Sequence, residues 1–142
     1  MTQEQKDLLL RDLCGRLPHG VKCKILETNE VKILGAIQYD GENTLFDFWE
    51  DDQKIQYGYQ LYLSEFKPCL LPISSMTEEQ KEEYESLCIK ETSECADLSG
   101  FFYTRDYYDT VESIDYLYKN HIDIRGLIEK KLAIDTTGLN IY

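Results

Sequence analysis

The chain reads as an α+β protein, on three observations. Apolar residues recur at helical spacing over the first turns, then at every second position from residue 21 to residue 63, then at helical spacing again beyond residue 77. A double-proline stretch, Lys67-Pro68-Cys69-Leu70-Leu71-Pro72, separates the alternating part from an acidic helical part. Turn residues divide the alternating part into short segments. The expected architecture is an N-terminal helix, an antiparallel meander of four or five strands, and C-terminal helices packed on one face. A small SH3-like barrel with added helices is the alternative, since Gly35 and Gly58 can bend strands. The length of 142 residues suits one domain over 1–142. Its β-rich part covers about 20–66 and its helical part about 75–135.

Each element has its own signal. Thr2 and Gln5 form a capping box ahead of Leu9, Leu10, Leu13, Cys14 and Leu17. Gly15 and Pro18 stop that helix, and Leu17-Pro18-His19-Gly20 reads as a turn. Val21, Cys23 and Ile25 alternate with lysines, and Val31, Ile33, Gly35, Ile37 and Tyr39 are expected to share the next strand's inner face. Thr28-Asn29-Glu30 and Asp40-Gly41-Glu42-Asn43 are hairpin turns. Leu45–Trp49 is a third strand, and Ile55, Tyr57, Tyr59, Leu61 and Leu63 mark a fourth. The double-proline stretch is then a stiff link.

Ser75 with Glu78, and Thr77 with Gln80, start the acidic helix, and Tyr84, Leu87 and Cys88 lie on its narrow apolar face. Residues 92–100 read as a loop, and Phe101-Phe102-Tyr103 as a short strand joining the sheet. Asp109 or Thr110 caps a helix with Val111, Ile114, Leu117 and Tyr118, and His121 helps close its end. Asp123 caps a last helix with Ile124, Leu127, Ile128 and Leu132. One continuous core is expected from Leu9, Leu13, Ile25, Ile33, Ile37, Phe46, Phe48, Leu61, Ile114, Leu117 and Leu127.

Net charge is −12 and unevenly spread. Residues 1–35 carry six basic and five acidic side chains, whereas residues 36–142 carry nine and twenty-two. Residues 77–97 alone hold eight acidic residues against two lysines. Such a surface repels phosphate backbones and anionic lipid, so no direct nucleic-acid or membrane partner is expected. Arg16, Lys22, Lys24 and Lys32 are the only concentration of positive charge. No apolar run approaches the roughly 20 residues that span a bilayer. The polar start Met1–Asp7 lacks the apolar stretch of a signal peptide. The five cysteines, 14, 23, 69, 88 and 95, are odd in number and form no C-x-x-C pair. Reduced thiols in the cytoplasm follow.

Candidate chemistry is sparse. Cys14, His19 and Cys23 have metal-ligating types but not a zinc-site spacing, and burial of the two cysteines as small apolar residues explains them. A cysteine nucleophile with His19 or His121 as base lacks the cations that activate thiols. Asp106 with Asp109, and Glu50-Asp51-Asp52, have no glycine-turned cation loop around them. No phosphate-binding loop, nucleophile elbow or H-E-x-x-H occurs. The reading therefore assigns no catalytic residue, no metal and no cofactor. Its candidate interaction surface is Glu78, Glu79, Glu82 and Glu83, with a wealth of tyrosines (eleven) that suits protein contacts.

Three stretches carry a family resemblance: Leu8–Val21, Lys67–Glu79, and Asp115-Tyr116-Leu117 with His121–Lys130. Together the chain resembles a group of short uncharacterised proteins from gut Bacteroides-type genomes, often borne by phages, prophages and mobile elements. Members commonly carry Arg where this chain has Leu71 and Gly where it has Lys131. The resemblance implies a mobile-element origin and a cytoplasmic setting, and no catalytic residues. The expected function is that of a non-enzymatic accessory protein contacting a host or phage protein. The alternatives are an acidic mimic of nucleic acid that occupies a DNA-binding protein, and an enzyme whose site is not legible.

Overall fold

The computed structural model describes residues 1–50, 60–97 and 100–142, and the backbone alone for 90–97 and 100–108. Helix α1 (Gln3–Arg16) starts at the expected capping box: the Thr2 hydroxyl accepts from the Gln5 amide and the Gln5 side chain accepts from Thr2. A 3-10 turn over Leu17–His19 and left-handed Gly20 lead into β1 (Lys22–Ile25). Strands β2 (Val31–Tyr39) and β3 (Thr44–Trp49) follow through the two expected hairpin turns. These three strands form an antiparallel meander.

The double-proline stretch is a strand, not a link. β4 (Phe66–Pro72) pairs antiparallel with β1 and takes a central place in the mixed sheet β3-β2-β1-β4-β7. Short β7 (Ile122–Asp123) and β8 (Ile134–Asp135) pair parallel with it. Thus the α+β class is as expected, while the strand order departs from a pure meander. Pro68 is tolerated because of register. The Leu26 amide donates to the Glu65 carbonyl at 2.9 Å, so Pro68, opposite Cys23, stands where no amide is needed toward β1. The expected fourth strand falls largely outside the described residues. Leu61 bridges Phe46 by two backbone bonds of 2.9 and 3.0 Å.

The main core lies between α1 and one face of the sheet. It joins Leu9 and Leu13 to Val21, Cys23, Ile25, Leu34, Phe46, Phe48, Leu61, Phe66, Leu70 and Leu127. Phe66 packs edge-on against both Phe46 and Phe48, at 5.0 and 4.9 Å between centroids. Two expected members are displaced: Ile114 is half-buried and not part of this core, and Ile33 gives way to its neighbour. Leu34, not Ile33, is buried, because the β2–β3 register shifts between Leu34 and Ala36. That bulge moves every earlier residue of β2 to the opposite face from the simple alternation, while Ile37 still packs against the core. Gly35 sits at the bulge, where an added Cβ would lie 2.4 Å from the Trp49 indole.

The core is also not continuous. Leu117 belongs to a second cluster with Met76 and Ile122, packed by Leu71, Tyr84, Tyr116 and Ile124. Helix α2 (Glu78–Leu87) and helix α3 (Val111–Lys119) build this lobe beside β7. Between them β5 (Ile89–Asp97) and β6 (Gly100–Tyr108) pair with each other in a separate two-stranded sheet. The expected loop over 92–100 is therefore mostly strand, and Phe101–Tyr103 does not join the main sheet. Thr110, rather than Asp109, caps α3.

The last expected helix does not form. The Asp123 carboxylate caps a single turn by accepting from the Leu127 and Ile128 amides at 2.9 and 2.8 Å. Gly126 is left-handed and breaks the helical path at once. Leu132 then donates to the Leu127 carbonyl and Lys131 to that of Ile128, the paired closure of a helix end, with Lys131 left-handed at φ 59°.

Candidate functional site

The four glutamates of the candidate surface are all exposed, on a helix that buries none of its residues. Thr77 and Gln80 form the capping box, and Glu78 and Glu79 occupy the first turn, where the helix dipole favours carboxylates. Side-chain bonds supplement a small apolar cluster in holding α2 to α3. The Tyr116 hydroxyl donates to Glu83 at 3.0 Å, Tyr84 to Asp109 at 2.5 Å, and Thr110 to the Leu87 carbonyl at 2.8 Å. Burial, then the carboxylate each one faces, pushes the phenols of Tyr84 and Tyr116 above their ordinary range, so both stay protonated donors. Glu78 pairs with Lys81 at 2.8 Å. The structure thus leaves Glu79 and Glu82 toward solvent, and uses Glu83 partly as a brace.

A second polar cluster escaped the sequence reading. Asp12 and Arg16, both fully buried, pair at 2.6 Å one turn apart on α1. Arg16 also donates to the Ile122 carbonyl at 2.7 Å and lies 4.9 Å over the Tyr118 ring. Arg125 approaches Asp12 at 3.5 Å and donates to the Tyr118 hydroxyl at 3.0 Å. Three distant parts of the chain meet here: α1 reaches Ile122, and the Leu71 amide donates to the His121 carbonyl at 3.0 Å. The available signal was the Asp12-to-Arg16 spacing of four on an otherwise apolar stripe. Such a pair stabilises little over an apolar substitute, but removal of one partner strands a buried charge.

The histidines occupy different places. His19 Nε2 lies 2.9 Å from Asp115 Oδ1. His121 closes α3 through its backbone, with φ 59° and its amide on the Tyr118 carbonyl. Its ring stacks on Tyr142 at 3.6 Å. Burial first, then Arg16, His19 and Lys22, lowers its pKa to about 4, so the ring is neutral near pH 7. The Tyr142 hydroxyl donates to the Cys69 carbonyl and accepts from the Lys22 amide, which clips the tail across β1 and β4.

The sulfur chemistry weighed from sequence is not assembled among the described residues. Cys14 is exposed, Cys23 is buried in the core, and His19 is engaged by Asp115. Burial raises the Cys23 and Cys69 thiols, the opposite of activation. Those two stand on adjacent strands but one residue out of register, so they face opposite sides of the sheet. Cys88 gives its Sγ to the Tyr84 carbonyl. The side chains of Cys95 and Asp106, and residues Asp51 and Asp52, lie outside the described residues. Among the described residues no group of three or more His, Cys, Asp or Glu is placed to hold a metal ion, and no helix is long and apolar enough to cross a membrane. No family model matches this chain, and no curated protein or solved structure is found similar to it.

Proposed function

We propose that this chain is a non-enzymatic accessory protein of a phage or mobile element that acts in the cytoplasm by gripping a basic surface on a host or phage protein. The observation that carries the reading is α2: Glu78, Glu79, Glu82 and Glu83 are exposed together on a helix that buries none of its residues. The side-chain bonds to α3 give that helix a fixed orientation, so its carboxylates are presented in a set array rather than on a mobile loop. A preset charge array speeds encounter and selects partners of opposite sign. The setting in a mobile element rests on the resemblance of the three stretches.

A second reading uses the same surface. The pairs Glu78/Glu79 and Glu82/Glu83 repeat one helical turn apart, about 6 Å along the axis. A regular row of negative charge is what a DNA-binding protein meets on a phosphate backbone. Affinity capture from the native host, with wild-type bait and a Glu78→Gln/Glu79→Gln/Glu82→Gln/Glu83→Gln bait, tests both. A basic protein held by wild type and released by the variant supports the first. If duplex DNA also displaces it, the mimic reading takes over. Equal capture by both baits contradicts the assignment to α2.

A further inference from the structure

On the sheet face away from the main core, Lys22 of β1 stands directly opposite Ile33 of β2, and Ile33 opposite Trp49 of β3. Residues directly opposite one another share a face, so the three form one cross-strand row. The bulge at Gly35 is what puts Ile33, rather than Leu34, into it. Gly35 further lets the indole of Trp49 lie against the backbone, since any Cβ there would collide with the ring. The turn after α1 closes the row from one end. The result is a hollow of about 440 Å³ lined by Leu17, Pro18, His19, Gly20, Lys22, Ile33 and Trp49.

Its chemistry is that of a small-ligand pocket. An apolar and aromatic lining with few polar groups is the usual composition, and typical volumes run from about 300 to 1,000 Å³. None of the seven lining residues is acidic, in a chain of net charge −12. Six of them come from residues 1–35, where basic side chains outnumber acidic ones by six to five. Of the three N–H of the Lys22 ammonium, one goes to the Ile141 carbonyl at 2.6 Å and two remain to give. His19 is fixed in orientation by Asp115, which is not part of the lining.

We infer that this hollow binds a small planar aromatic carboxylate, the ring against Trp49 and Ile33 and the carboxylate on Lys22 at the His19 side. A carboxylate fits better than a phosphate. Among the described residues the lining offers one lysine point charge and no arginine fork or opening helix N-terminus, the devices that favour phosphate. The site is separate from the α2 surface and does not depend on the binding role proposed for it.

Trp49 is the chain's one tryptophan and reports on the site directly. Intact protein is titrated with benzoate, benzamide and phenyl phosphate while indole emission is followed. Benzoate should give a saturable change with half-saturation on the order of 1 mM, the affinity expected of a ligand of about ten non-hydrogen atoms. Benzamide should be about tenfold weaker, as loss of a charge-assisted bond implies, and phenyl phosphate should bind no more tightly than benzoate. Lys22→Met should weaken benzoate about tenfold and leave the benzamide response unchanged. A linear, non-saturating response to benzoate, equal affinity for benzamide, tighter binding of phenyl phosphate, or an unchanged benzoate affinity in Lys22→Met would each overturn the assignment.

Discussion

The two lobes of this molecule are held together by different forces. Under α1 the sheet buries a wide apolar set in which Phe66 makes edge contact with both Phe46 and Phe48. Among the described residues the apolar cluster of the α2–α3 lobe is small, centred on Met76, Leu117 and Ile122, and side-chain bonds from Tyr116, Tyr84 and Thr110 help close it. Apolar burial stabilises by area, about 25 cal/mol per Å². A neutral hydrogen bond nets only about 0.5–1.5 kcal/mol. The first lobe therefore carries stability, and the second can spend its surface on charge. The lesson is that the acidic helix is a presented element on a separate scaffold, not part of the scaffold.

The largest effect should come from the joint between the lobes. Asp12→Ala leaves the fully buried Arg16 guanidinium without its carboxylate and should cost about 3–5 kcal/mol. Urea denaturation followed by circular dichroism measures it, and a loss below about 1 kcal/mol would show that Arg16 finds water. Next come the two cores. Leu13→Ala should cost about 3–5 kcal/mol, and Leu117→Ala about 2 kcal/mol, because the smaller cluster can collapse more readily around the deletion. Equal urea midpoints for the two variants would erase the distinction between the lobes.

Much of this comparison was legible in the sequence, and the gaps have physical causes. The capping boxes at Thr2 and Thr77, both hairpin turns and the face of Leu9 and Leu13 are local signals and hold, whereas Ser75 donates its hydroxyl to the Pro72 carbonyl instead of capping α2. The strand over Phe66–Pro72 was hidden because proline argues against a strand, whereas here the register spares Pro68 an amide. Ile33 and Leu34 exchange roles because a bulge is a pairing event with no fixed sequence mark beyond Gly35. The turn after Asp123 carries a good cap and good apolar spacing, and fails as a helix at the left-handed Gly126. Of the candidate surface, the exposure of the four glutamates was readable, but the brace from Tyr116 to Glu83 was not, since it spans 33 residues. The pairing of Trp49, Ile33 and Lys22 was likewise out of reach without strand register.

The third effect concerns acidity. Unfolded, the His121 ring titrates near 6.5, and folded at about 4. Between those values the unfolded chain binds more protons, so stability is full above the upper value and falls as pH drops toward the lower. The loss should be about 2 kcal/mol after discounting for solvent screening of a half-buried ring. Urea midpoints at pH 7 and pH 4.5 should differ more in wild type than in His121→Asn, which keeps a residue type tolerant of the left-handed backbone. Identical shifts in the two proteins would place the acid sensitivity elsewhere. A smaller effect, of opposite sign, belongs to Lys131. Its left-handed backbone favours glycine. Lys131→Gly should raise stability by about 1 kcal/mol, and a lower midpoint would mean that the lysine side chain contributes more than the backbone strain costs.

The smallest stability effect and the largest functional one should fall on the same four residues. Surface substitutions of this kind usually change stability by no more than about 0.5 kcal/mol. The decisive measurement is the affinity of the Glu78→Gln/Glu79→Gln/Glu82→Gln/Glu83→Gln protein for the basic partner captured by wild type, made on material with a confirmed wild-type urea midpoint. An affinity at least about tenfold weaker, with the midpoint unchanged, is the predicted result, since several charge pairs across one interface are removed together. An unchanged affinity would show that α2 is not the binding surface, and a midpoint well below wild type would show that the acidic helix holds the fold rather than presenting a face.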